Sequence, residues 1–218
     1  MCKNLLFILA LLLASFAHGQ DMLIEQIAGK KIVRQAYNEE KEFISKQIFV
    51  VSPLQKMDNR LKVELRVSMY DEDSKLTEKY TTQYTCEPAK SDVLLTVFPF
   101  ARKGDAEYVI DVSSSDFKRL YDFEPGEKTL NDLSLQMSVK SGILGFFGSK
   151  NVIKLTNRNL SKNEEGFILK SNLTIEAYLW GMKVKTISYQ VTEKLDDNKQ
   201  LLYQKFITDD GSYFLMNY

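Results

Sequence analysis

Apolar and polar residues alternate along several stretches of this chain, and no other feature of the sequence limits its fold as much. The clearest stretch places Leu61, Val63, Leu65, Val67 and Met69 at every second position, with charged or polar residues between them. Side chains two positions apart lie on the same face of a strand, so this pattern predicts strands with one buried face. The same alternation recurs at 80–86, 133–139 and 173–179.

Short polar clusters separate these alternating stretches. Asp, Asn, Gly and Ser residues stand together at 71–75, 195–199 and 209–211, and such residues favour the tight turns of hairpins. Because strand and turn patterns recur from about Ile44 onward, residues 44–218 are predicted to form one antiparallel β domain. We expect an all-β fold: a single antiparallel sheet of about ten strands, strongly curved into an open or flattened barrel with an apolar concave face.

The first 19 residues have the composition of a signal peptide. Lys3 precedes an apolar run, Leu5–Ala14, and small residues follow at Ala17 and Gly19, where cleavage can occur. The run is too short to span a bilayer, and no later stretch reaches the roughly 18 apolar residues of a membrane helix. We therefore expect an exported chain, periplasmic or secreted, without a transmembrane segment. Residues 20–43 form an N-terminal segment whose mixed apolar spacing is compatible with a helix.

Charge and residue types exclude several classes of function. Without residues 1–19 the chain has 28 basic and 29 acidic residues, because only Lys3 is lost. The two signs are interleaved, whereas nucleic-acid binding requires clustered Lys and Arg, so no nucleic-acid partner is expected. The single histidine, His18, lies at the cleavage point, and Cys86 is the remaining cysteine. Histidine is the commonest general base and metal ligand. We therefore predict no catalytic residue, no metal site and no cofactor, and we expect that the protein is not an enzyme.

Two short patterns resemble functional motifs, and in both the structural interpretation is favoured. Ser115 and Lys118 have the spacing of a serine activated by lysine, but the partner motifs of such enzymes are missing. Asp71, Glu72 and Asp73 supply oxygen ligands that calcium prefers, but the glycine and the later glutamate of a calcium loop are missing. We interpret the acidic cluster as a solvated turn.

An apolar, glycine-rich stretch interrupts the strand pattern at 141–149, where a polar turn would be usual. It either packs over the open sheet and fills the core, or forms a lid or contact tip whose glycines allow movement. Other aromatic residues are expected to line the same face. The predicted contacts for an apolar ligand or a protein partner are Ile143, Leu144, Phe146, Phe147, Phe98, Phe100 and Trp180.

Three short segments resemble the TapB-type exported proteins of Bacteroidota. They are the acidic turn with its flanking strands at Met69–Tyr80, the stretch Pro125–Met137 and the strand end Leu155–Arg158. The resemblance implies an all-β, open or flattened barrel in the periplasm with no established activity, and it supplies no catalytic residues.

These observations together predict a non-catalytic cell-envelope protein. We expect it to bind an apolar ligand or a protein partner on the concave face of its curved sheet. The alternative is a structural or interaction module without a small-molecule ligand. The oligomeric state is left open by the sequence.

Overall fold

The computed structural model describes residues 23–86, 108–112, 120–124, 126–141, 149–179 and 181–218. In this part of the chain a short helix, α1 (Leu23–Ile27), precedes thirteen strands that belong to one sheet. The strands are β1 (Lys31–Tyr37), β2 (Phe43–Val51), β3 (Gln55–Met57), β4 (Arg60–Tyr70), β5 (Leu76–Cys86), β6 (Tyr108–Val112), β7 (Thr129–Leu130), β8 (Leu133–Ser141), β9 (Ser149–Asn163), β10 (Gly166–Leu179), β11 (Met182–Leu195), β12 (Leu201–Ile207) and β13 (Tyr213–Asn217).

Strand pairing within the sheet is antiparallel except between β5 and β6. The neighbours follow the order β10, β11, β12, β13, β1, β2, β4, β5, β6, β8 and β9, and β9 pairs with β10 as well as with β8. The parallel junction joins only Gln83 to Val109 and Tyr84 to Ile110. This succession of pairings makes the sheet strongly curved, and the pairing is weakest at the short parallel junction between β5 and β6. The predicted all-β fold is confirmed, with thirteen strands in the described residues instead of about ten.

The N-terminal segment differs from the expectation. Helix occupies only Leu23–Ile27, and Lys31–Tyr37 is a strand that pairs with both β2 and β13. Its alternation is hard to read because the inner face holds Ile32, Arg34 and Ala36, so that a charged residue stands where an apolar residue is usual. The packing of distant strands decides the conformation of this segment.

The inner face of the sheet forms the hydrophobic core. In β4 the residues at 61, 63, 65 and 67 are buried, and Leu65 is 0% exposed, while Arg66 is exposed. The predicted assignment of inner and outer faces in this strand is confirmed. Corresponding inner residues of β8, β9, β10 and β11 belong to the same cluster, among them Leu135, Ile153 and Leu173. The described part of the concave face is thus largely filled by the chain's own side chains.

The two ends of the curved sheet differ in how they are covered. Strands β1, β4, β10 and β12 run toward one end, which we call the upper end and which carries the turns at 38–42, 71–75 and 208–212. At the opposite, lower end, Ile24 and Ile27 of α1 are buried, as are Leu120, Tyr121 and Phe123. Helix α1 and residues 120–124 therefore cover the lower end.

Candidate functional site

Exposure of the inner face increases toward the upper end of the sheet. In β1, Ile32 is fully buried whereas Arg34 and Ala36 are partly exposed. In β4, Val67 is buried and Met69 is partly exposed. Along the strands that the structure describes, the interior is therefore most accessible at the upper end.

Arg34 lies on the inner face near this end. Its Nη1 donates a hydrogen bond to Gln47 Oε1 at 3.3 Å, and its guanidinium lies over the ring of Phe214, 4.2 Å from the ring centre. Its Nε is buried and has no hydrogen-bond partner. Tyr189 and Tyr80 act electrostatically on this guanidinium in the direction that raises its pKa. We call Arg34, Gln47, Tyr80, Tyr189 and Phe214 the Arg34 site.

The electrostatic environment of Arg34 is unusual for a partly buried cation. Burial lowers the pKa of Arg34 to about 10, and the electrostatic effects of Tyr189 and Tyr80 oppose this shift. Its contacts in the described residues are an amide oxygen and an aromatic ring, with no carboxylate. Glu78 lies on the same inner face of β5 but makes no ion pair with Arg34. Removing a cation from water without an opposing charge is costly, so this guanidinium is poised to accept an anion.

Aromatic side chains surround one side of the Arg34 site. The rings of Phe206 and Phe214 are stacked with centres 4.5 Å apart, and Tyr189 meets Phe214 edge-on at 5.7 Å. These three residues come from β11, β12 and β13. A fixed hydrogen-bond donor next to an apolar wall suits a molecule with an anionic head and an apolar body.

A second buried polar group lies toward the lower end. Glu193 Oε1 accepts hydrogen bonds from Tyr121 Oη at 2.8 Å and from Gln204 Nε2 at 2.5 Å, and Tyr218 Oη donates to Gln204 Oε1. We call these four residues the Glu193 network. Burial raises the pKa of Glu193, while its two hydrogen bonds and the charge of Arg158 oppose that shift. Burial is the main cause that raises the pKa of Tyr121 and of Tyr218, and the charge of Glu193 raises both pKa values further.

Arg158 connects the Glu193 network to the segment that covers the lower end. Its side chain is only 2% exposed, donates from Nη1 to the backbone oxygen of Asn131 at 2.9 Å, and donates from Nη2 to the backbone oxygen of Leu120. A buried network in which the polar groups find partners stabilises one packing arrangement. We therefore interpret Arg158 and the Glu193 network as structural.

A polar cavity of about 300 Å³ lies beside Arg158. Carboxylates of Asp122, Glu124 and Glu127 surround it, together with Thr129 and Asn131. This lining is unsuited to an apolar ligand. No group of His, Cys, Asp and Glu in the described ranges is arranged to hold a metal ion.

The contact residues predicted from the sequence lie outside the described residues. This applies to Phe98, Phe100 and Trp180, and to the four apolar residues of the stretch 141–149, so the prediction of a lid or contact tip remains untested. Ser115 and Lys118 also lie outside this part of the chain. Asp71, Glu72 and Asp73 occupy the β4–β5 turn, where Asp71 Oδ1 accepts a hydrogen bond from the Lys75 amide.

The Arg34 site was missed by sequence reasoning because its members come from five strands that are distant in the chain. The available signal was Arg34 itself, two positions after Ile32 in a stretch that can be read as alternating. An arginine on an otherwise apolar strand face needs either a partner or a function.

Two solved structures are similar to this chain at low sequence identity. No family model matches the chain, and no curated protein matches it. The first structure, from Bacteroides fragilis, is provisionally described as an exported protein with a YmcC-like fold. It is 14% identical, with a TM-score of 0.45 over 87% of this chain and 93% of that one. The second, provisionally described as a lipoprotein from Parabacteroides distasonis, is 13% identical, with a TM-score of 0.44 over 90% and 96% of the two chains. In the part of the chain that the structure describes, no helix is long and apolar enough to cross a bilayer.

Proposed function

We propose that this chain is an exported, non-catalytic cell-envelope protein that binds an apolar ligand with an anionic group at the upper end of its concave face. Export is supported by the signal-peptide composition of residues 1–19, and membership of the TapB-type group is part of the same proposal. The observation that carries the binding function is Arg34, a largely buried cation whose Nε has no hydrogen-bond partner.

The ligand class follows from the chemistry of the Arg34 site. Guanidinium groups bind carboxylates and phosphates through paired hydrogen bonds, and Arg34 Nε is one buried donor still free to form such a bond. Phe214 and the adjacent rings exclude water on one side, which strengthens a charge-assisted hydrogen bond. A long-chain carboxylate combines both properties, with its carboxylate at Arg34 and its chain toward the partly exposed Met69 and Ile187.

The test compares ligand binding and stability in the same variants. Binding of a long-chain fatty acid to the mature protein is measured by calorimetry, with the corresponding alcohol as a neutral ligand. We expect the wild type to prefer the acid, and Arg34→Met to lose that preference. Replacement of a buried, unpaired cation by an apolar side chain of similar length is expected to leave stability unchanged or raised by about 1 kcal/mol.

Arg66→Met is the matched control, because Arg66 lies on the outer face with its side chain 73% exposed. It should leave acid binding unchanged. Equal binding of the acid by wild type and Arg34→Met, or no binding by either, would contradict the proposal. A loss of several kcal/mol in Arg34→Met would show that Arg34 is structural. That result would favour the alternative, a structural or interaction module without a small-molecule ligand.

A further inference from the structure

We propose that the beginning of β11, together with the facing end of β10, is a contact surface for an anionic lipid membrane. The surface comprises Met182–Lys185 with Tyr178, Glu176 and Lys154, and we call it the β11 tip. It is separate from the Arg34 site.

The β11 tip carries unusually exposed apolar side chains. Met182 is 64% exposed and Val184 is 59% exposed, more than any other large hydrophobic residue in the described part of the chain. Lys183 and Lys185 alternate with them and are also exposed. Apolar side chains that enter the headgroup region beside lysines whose ammonium groups stay in water are typical of membrane-surface contacts.

Charge at the β11 tip is positive. The carboxylate of Glu176 lies 3.0 Å from Lys154 Nζ and 3.5 Å from Lys183 Nζ. The β11 tip therefore has one carboxylate, that of Glu176, and three lysines, Lys154, Lys183 and Lys185. An excess of lysine close to a bilayer favours anionic lipid headgroups.

Among the residues that the structure describes, strand geometry lets the β11 tip approach a flat surface before the neighbouring strand β12. β12 pairs with β11 only from Gln190 onward, so Met182 lies eight residues further along the strand, about 26 Å at the rise of an extended chain. The turns at 71–75 and 208–212 carry carboxylates. The repulsion between these carboxylates and an anionic membrane is largely screened by salt when they are more than a Debye length, roughly 10 Å, apart.

Pairing with a partner strand is disfavoured at this edge. A β-bulge in the β10–β11 pairing lies between Ala177 and Tyr178, opposite Lys183 and Lys185. Bulges and edge lysines are devices that prevent strand addition. Met182 and Val184 remain available for a contact that needs no strand register, which favours a lipid surface over an added peptide strand.

The test is sedimentation of the mature protein with vesicles of phosphatidylcholine, with or without about 30% phosphatidylglycerol. We expect binding to the mixed vesicles that weakens with salt, and little binding to neutral ones. Lys183→Gln with Lys185→Gln should weaken binding roughly thirtyfold, and Met182→Ser with Val184→Ser by about tenfold or more. Urea unfolding of each variant serves as the check that its fold is retained.

Lys56→Gln with Met57→Ser is the matched control, because this lysine–methionine pair on β3 is also exposed, Met57 by 53%, but lies near the lower end. It should bind like the wild type. The proposal is overturned if the wild type does not sediment with mixed vesicles, or if both tip variants bind like the control. Binding to soluble polyglutamate but not to vesicles would also overturn it and indicate an acidic protein partner.

Discussion

Replacing Arg158 with methionine should destabilise the fold strongly at neutral pH. The substitution removes the charge that opposes Glu193 and the donors to the backbone oxygens of Asn131 and Leu120. Net hydrogen bonds from a charged donor contribute about 1.5–3 kcal/mol each, and loss of one member of a buried charge pair costs about 3–5 kcal/mol. Because these terms overlap, we expect a loss of about 4 kcal/mol. Urea unfolding measures it.

The cost of Arg158→Met should depend on pH in a direction fixed by Glu193. Burial raises the pKa of Glu193 in the folded state above its unfolded value. Such an acid binds more protons in the folded state, so its contribution to stability is largest below the unfolded pKa and is lost as pH rises through the folded pKa. Removal of Arg158 raises that pKa further. The variant should therefore lose more stability, relative to wild type, at about pH 7.5 than at about pH 4.5.

Two further variants decide whether this explanation is right. Adding Glu193→Gln to Arg158→Met should restore part of the stability and remove the extra pH dependence, because no buried charge remains. Lys162→Met is the control on the same strand, since Lys162 forms an exposed ion pair with Asp197 at 3.1 Å. It should change stability by less than about 1 kcal/mol. A cost below about 1 kcal/mol for Arg158→Met, or an equal cost at both pH values, would refute the reasoning.

Three smaller predictions test the core and the turns by thermal or urea unfolding. Leu65→Asp should prevent soluble folding because Leu65 is fully buried. Arg66→Asp, on the outer face, should lower the free energy of unfolding by about 1 kcal/mol or less. Equal tolerance of both substitutions would mean that the inner and outer faces of β4 are wrongly assigned. Thr82→Val should stabilise the fold by about 1 kcal/mol, because the Thr82 hydroxyl is buried without a hydrogen-bond partner; destabilisation would reveal a partner. Gly166→Ala should lower the free energy of unfolding by more than about 3 kcal/mol, because φ is +126° and a Cβ would lie 2.1 Å from the backbone oxygen of Leu195. An unchanged free energy of unfolding would show that the β9–β10 turn can shift.

The sequence predicts those strands whose inner face is apolar throughout. In β4 every second residue from Leu61 to Val67 is buried, so a period of two was sufficient to assign both the strand and its inner face. In β1 the inner face includes Arg34, and the pattern was ambiguous. What makes that residue part of the interior is its contact with Gln47 of β2 and Phe214 of β13, and no local pattern contains this information.

The candidate site was less predictable than the fold. Apolar residues drew attention to the stretch 141–149, since exposed aromatic residues suggest a contact. The Arg34 site depends on a polar residue that becomes largely buried only after strands from both ends of the chain have paired. The buried fraction of a charged side chain is a property of the assembled sheet, so sequence reasoning had no basis for ranking Arg34 above the other basic residues.

Two inward-facing arginines in the described part of the chain differ in how well their surroundings match their charge. Arg158 is surrounded by groups that match its charge: two backbone oxygens and the carboxylate of Glu193 nearby. Arg34 has an amide oxygen at 3.3 Å, an aromatic ring and a buried Nε without an acceptor. The same substitution, arginine to methionine, should therefore have opposite consequences, destabilising the fold at 158 and leaving it unchanged or more stable at 34. An Arg34→Met variant that is at least as stable as the wild type would support the proposed ligand as the source of the missing anion.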